Sequence, residues 1–169
     1  MEVFEAVRTV LAVREYQDKP VPPGVVQKIV EAGRLTGSAM NAQPWHFIVV
    51  ESRETLGRLG AAATSGPYVA QAPMAVVVSI DRTRFAVSDG SRAIQSMMLT
   101  AWADGVVSNW VGFVGQLTAV NAILGIPSTL DVLAIVPFGY PTRRLGQGKK
   151  RRKPLSEVAH RERYGQPFA

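Results

Sequence analysis

Residues 36 to 47 read TGSAMNAQPWHF, a run of small residues and amides that ends in a Pro-Trp pair. Ser38, Asn41 and Gln43 bring side-chain donors and acceptors together within six positions, while Gly37 and Ala39 leave the backbone approachable. Such a loop suits a planar, hydrogen-bonding ligand. The same letters also describe a helix-to-strand connection whose amides satisfy its own backbone. Other chemistries find little support. The chain has no cysteine, which excludes a disulfide framework, a thiolate zinc site and a Cys nucleophile. Its two histidines, His46 and His160, lack a second His or a carboxylate at metal-binding spacing, so no metal site is expected. His46 reads as a half-buried residue at the start of a strand. There is no GxSxG elbow, Walker loop or dinucleotide fingerprint, which leaves hydrolase and phosphotransferase readings unsupported.

The charge is uneven. The net charge is +6, and Arg143, Arg144, Lys149, Lys150, Arg151, Arg152, Lys153, Arg161 and Arg163 crowd the final 27 residues. A tail of this kind is a solvated segment, a grip for a phosphate or anionic cofactor, or a nucleic-acid contact. The run GKKRRK carries no interleaved aromatics, which ranks nucleic acid last.

The elements that must position these groups follow from periodicity and breakers. At 169 residues the chain is the size of one domain, 1–169, with 142–169 as a basic tail. Val3, Phe4, Val7, Val10 and Leu11 fall at helical spacing and predict a first helix with an apolar face turned inward. Prolines 20, 22 and 23 end that segment, and a second helix begins after them, burying Val26, Ile29, Val30 and Gly33 or Leu35. HFIVVE predicts a strand, ESRETLGRLGAAA a helix, and PMAVVVSI a fully buried strand. Asp89 and Ser91 open a long central helix that buries Ala93, Ile94, Met97, Met98, Ala101 and Trp102. VVSNWVGFVG reads as a strand or extended run, LTAVNAILGI as a helix stopped at Gly125, and TLDVLAIVPFGYP as a last strand. The amino terminus lacks an apolar signal core and no segment is long and apolar enough to span a membrane, so the expected compartment is the cytoplasm.

Four stretches in order resemble the nitroreductase family of flavoproteins: VREYQDKPVP, the TGSAMNAQPW loop, SDGSRAIQSMMLTAWADGVVSNWVG, and FGYP followed by RRKPLSEVAHRERYG. The resemblance covers roughly residues 3 to 165. It implies an α+β fold with a central, mainly antiparallel sheet flanked by helices. It further implies a homodimer with two shared FMN sites and a C-terminal tail exchanged with the partner.

Carried over residue by residue, the resemblance implies that Ser38, Met40, Asn41 and Gln43 lie against the flavin from the neighbouring subunit. Gly37 stands where the family commonly has proline. Trp110, Val111, Gly112 and Phe113 match the run whose backbone passes flavin N5. Lys150, Arg152 and Lys153 match the cations that grip the phosphate. At the amino terminus, where family members commonly have Arg-Arg-Ser-x-Arg, this chain reads Val10-Leu11-Ala12-Val13-Arg14, so only Arg14 is retained. Arg8 is either a substitute cation or an exposed helix residue.

The function implied is an FMN-dependent oxidoreductase that passes electrons from NAD(P)H through flavin N5 to a nitroaromatic, quinone or similar acceptor. No side chain need act as a catalytic acid or base. The altered amino terminus keeps open a deazaflavin-using reductase of the same fold, and a non-catalytic flavin-binding protein is the alternative from another class.

Overall fold

The computed structural model describes residues 1–146 and 150–168; Lys149 of the basic run lies outside the described residues. Four strands form one antiparallel sheet in the order β1-β2-β4-β3, with β1 at Trp45–Val50, β2 at Met74–Asp81, β3 at Val107–Ser108 and β4 at Leu130–Gly139. The two central strands, β2 and β4, are buried on both faces, which is why MAVVVSI and VLAIVPF read as continuous apolar runs. The helices are α1 (Val3–Thr9), α2 (Pro23–Arg34), α3 (Arg53–Ala62), α4 (Ala86–Ala103), α5 (Thr118–Leu124) and α6 (Leu155–Val158). The architecture is α+β, as expected.

Local chemistry sets the boundaries. Pro23 begins α2, where its missing N–H has no helical partner to lose. The Ser52 hydroxyl accepts from the Thr55 N–H at 3.4 Å and opens α3. Gly125 closes α5 in the left-handed region at φ 66°. Helices α2 and α4 cover one face of the sheet, where Ile29, Ile94, Met97, Val76, Leu133 and Phe138 join one core. A second core on the other face gathers Leu56, Leu59, Val69, Val77, Val120 and Ile135 beneath α3 and α5.

Several expectations are corrected. Helix α1 ends at Thr9, and its predicted apolar face is outside: Val3 and Phe4 are 77% and 76% exposed, while Ala6 and Thr9 face inward. Periodicity detects an apolar stripe but not what covers it, and among the described residues nothing buries Val3 or Phe4. Leu35 is exposed for a related reason, since it caps α2 rather than lying on its inner face, where Gly33 is buried. Helix α4 starts at Ala86, ahead of Asp89, and Met98 and Trp102 are only half-buried. The extended run after Gly105 pairs as a strand only at Val107–Ser108, with an isolated bridge from Val111 to Ile135. His46 is exposed, 3.4 Å from Asp81 across the β1–β2 pair, because the sheet edge turns its ring to solvent.

Candidate functional site

The amide loop is held in an uncommon backbone form. Met40, Asn41 and Gln43 all have positive φ, at 52°, 56° and 49°, although none is glycine. Each such residue costs on the order of 1 kcal/mol and persists only where its surroundings enforce it. The surroundings are visible. The Ser38 hydroxyl accepts from the Gln43 N–H at 2.9 Å, and the Gln43 side-chain amide donates to Asn41 Oδ1 at 3.2 Å. On the inner side, the buried Asp89 carboxylate of α4 accepts from the Ala39 N–H at 3.1 Å and pairs with Arg92. Outward, Met40 is 89% exposed. The loop is thus an internally bonded platform anchored at its root. Replacing Asp89 with alanine is expected to destabilise the protein by about 1–3 kcal/mol, since the Ala39 N–H loses its acceptor. A thermal melt and protease nicking within residues 36–44 would check this, with Asp89→Asn recovering most of the loss.

The run after β3 is organised differently. Both backbone groups of Val111 are committed to Ile135, with the Val111 N–H donating at 2.9 Å and its carbonyl accepting at 3.0 Å. The Trp110 indole N–H turns back to donate to the Gly112 carbonyl at 2.7 Å. Gly112 has φ 77°, which a side chain would oppose. Val111 therefore cannot offer its N–H to a ligand, whereas Gly112 and Phe113 lie beyond the committed pair.

The amino-terminal segment and the basic tail meet around a cavity of about 730 Å³, lined by Arg8, Val10, Leu11, Met98, Lys150 and Arg152 among others, with no carboxylate in its lining among the described residues. The Lys150 ammonium donates to the Val7 carbonyl at 2.5 Å, which ties the tail to the end of α1. Burial, and then the nearby Arg152 charge, push the Lys150 pKa down from its ordinary value. Arg14 lines an adjoining cavity of about 380 Å³ that shares Leu11 and Ala12 with the first, and its guanidinium lies 5.9 Å from the Tyr68 ring centre. The segment itself is fixed by the Val13 N–H donating to the Ser108 carbonyl at 3.0 Å and by the buried Tyr16 hydroxyl donating to the Val13 carbonyl at 2.7 Å. Lys153 is exposed and lines neither cavity.

One chain therefore brings Arg8, Lys150 and Arg152 together, with Arg14 next door. It does not bring the 38–43 loop or the 110–113 run into the lining of the same cavity.

The site's neighbours in sequence space are informative. Residues 8–88 and 67–140 match the family model described as the nitroreductase family. A provisionally named NADH dehydrogenase/NAD(P)H nitroreductase of Methanothermobacter thermautotrophicus is 33% identical over 154 residues, covering 86% of this chain and 81% of that protein. The chain belongs to the nitroreductase family. It is also similar to the FMN reductase (NAD(P)H) of Bacillus subtilis, 24% identical over 187 residues, covering 96% of this chain and 74% of that protein. The crystal structure of a provisionally named NADH dehydrogenase/NAD(P)H nitroreductase from Bacteroides thetaiotaomicron matches with a TM-score of 0.87 at 25% identity, covering 96% of this chain and 98% of that one.

In this nitroreductase-family chain, three contributors escape sequence reasoning. Gln95 lines the cavity from the exposed face of α4, and Met98 lines it from the edge of a stripe that periodicity assigns to the core. Asp89 supports the loop from fifty residues away. Only the first has a signal in the sequence, as a polar residue next to the apolar stripe; the loop anchor depends on a tertiary approach.

Proposed function

We propose that this protein is an FMN-dependent oxidoreductase, acting in the cytoplasm as a homodimer, that draws on NAD(P)H and reduces a small acceptor such as a nitroaromatic or a quinone. The observation that carries this reading is the cavity lined by Arg8, Lys150 and Arg152 together with the apolar Val10, Leu11 and Met98, with no carboxylate in the lining among the described residues. Its volume falls within the roughly 300–1,000 Å³ of small-molecule sites. Clustered cations beside apolar surface fit a phosphate monoester carried by a larger organic group. The name of the Bacillus subtilis relative supports the same cofactor.

When bound, FMN supplies acceptance of a hydride from the nicotinamide and onward delivery of electrons to the acceptor. The chain's part is holding and shaping. Lys150 and Arg152 hold the phosphate, Lys153 adds to the field, and Arg14 flanks the neighbouring cavity. Gly112 and Phe113 present backbone N–H groups where Val111 cannot, and the Trp110 indole fixes that turn through the Gly112 carbonyl. Phe113, 47% exposed, offers an apolar surface to substrate.

Dimerisation is supported by what a single chain leaves uncovered. Val3, Phe4 and Val7 on α1 are 77%, 76% and 47% exposed, and Leu155 and Val158 on α6 are each 60% exposed. A partner that covers α1 and receives the exchanged tail would also supply its 38–43 loop to the site. The test is stopped-flow mixing of the flavin-loaded protein with NADH or NADPH, followed by a quinone or a nitroaromatic. Bleaching of the flavin band and its return with ping-pong kinetics support an enzyme. A bound flavin that neither nicotinamide reduces would leave a binding protein without turnover.

A further inference from the structure

The cavity's third cation is already engaged. Arg8 donates through both sides of its guanidinium to Glu5, with Nε at 2.9 Å from Oε2 and a terminal nitrogen at 2.7 Å from Oε1. Both side chains are nearly half exposed, 48% for Arg8 and 43% for Glu5. Ion pairs of that kind contribute little, because water and salt screen them. Glu5 does not line the cavity, whereas Arg8 does.

The Lys150 ammonium rests on the carbonyl of Val7, the residue immediately before Arg8, so the tail cations and Arg8 converge on the last turn of α1. In the same lining, Leu11 and Ala12 present no donor side chain, although they occupy the positions where the family resemblance implies an arginine and a serine. Any anion in this cavity must therefore find its side-chain charge on α1 and the tail.

We infer that Arg8 is an anion-binding residue of this cavity and that Glu5 is its built-in competitor, holding the guanidinium until a phosphate group displaces it. The inference rests on the FMN reading above. The chemistry favours exchange. A phosphate monoester carries more negative charge than a carboxylate and offers three acceptor oxygens to the same planar fork, and two further cations already face it. The displaced Glu5 is free to turn to water, because its side chain is at the surface. Glu5 thereby keeps the guanidinium ordered near the cavity while weakening net affinity, and makes occupancy depend on a doubly charged ligand.

The test compares FMN with riboflavin, which lacks the phosphate, by fluorescence titration of the full-length protein and three variants. For Arg8→Ala, FMN affinity is expected to fall on the order of tenfold while riboflavin affinity is unchanged. Arg8→Lys should recover part of the difference. Glu5→Gln should tighten FMN several-fold and leave riboflavin unchanged. An Arg8→Ala protein with the wild-type ratio of FMN to riboflavin affinity would overturn the role of Arg8 and leave the flavin reading intact. Equal losses for both flavins would overturn it too, by showing a packing effect. A Glu5→Gln protein indistinguishable from wild type would overturn the competition. Binding of neither flavin by the wild-type protein would overturn the FMN reading and this inference with it.

Discussion

Removing the two tail cations, Lys150→Ala with Arg152→Ala, is expected to lower FMN affinity on the order of 100-fold or more. A hydrogen bond to a charged group contributes about 1.5–3 kcal/mol, and each tenfold in affinity corresponds to about 1.4 kcal/mol. Riboflavin binding should change far less. The melting temperature should move little, because both residues lie in a tail whose neighbours from Arg151 to Val158 are exposed. Salt gives an independent check: raising ionic strength should weaken FMN binding to the wild-type protein and have a smaller effect on the double variant. Titration at two salt concentrations would measure both effects. An unchanged FMN affinity in the double variant would remove the tail from the phosphate site.

The second large effect is expected at Gly112. At φ 77°, an alanine there occupies the left-handed region at a cost of about 1–2 kcal/mol. Its Cβ would also stand 2.5 Å from Leu117 Cδ1 and 2.7 Å from Leu117 Cγ. Overpacking of this kind costs about 1–3 kcal/mol. Together these predict a loss of about 2–5 kcal/mol and a melting temperature lower by roughly 5–15 °C. Gly115 provides the control. It has a similar φ of 83°, but a Cβ there would meet nothing within 4 Å, so Gly115→Ala should cost only the conformational part. Flavin affinity should fall with Gly112→Ala and hold with Gly115→Ala. Equal effects from the two substitutions would mean that the contact with Leu117 is immaterial.

The sheet was legible because its strands are extreme. Residues 74–78 and 132–138 carry continuous apolar runs, preceded by Pro73 in one case and followed by Gly139 in the other, the pattern of a strand covered on both faces. Helices α2 and α4 were legible in kind and in their buried residues, α1 was legible in kind alone, and the short α6 lies in a tail that reads as irregular. In α1 the stripe of Val3, Phe4 and Val7 is real, yet it faces out of the chain, and a hydrophobic pattern reports a need for cover without naming its source. The site divides along the same line. Lys150 and Arg152 stood out through the resemblance to the family's tail, and the structure brings both to one cavity. The grouping of Arg8 with them was open in the sequence, because helical spacing alone cannot separate an exposed arginine from a cavity-lining one. The commitment of the Val111 backbone to Ile135 was not legible at all, since it arises from a bridge between segments 24 residues apart. The anchoring of Ala39 by Asp89 is likewise a tertiary fact, with local spacing carrying no trace of it.

These features give the departure at Val10-Leu11-Ala12 a physical interpretation. Apolar residues there build the wall of the cavity, while the counter-charge for a phosphate moves to the end of α1 and to the tail. The exchange keeps a cation cluster and loses a hydroxyl, so FMN affinity should depend more on charge than on neutral hydrogen bonds.

The most direct test of the central claim is the visible absorption spectrum of the purified protein after addition of FMN and gel filtration. The account predicts flavin bands that travel with the protein, at close to one flavin per chain, in a species of dimeric mass. A colourless protein peak, with all of the FMN eluting later, would contradict it.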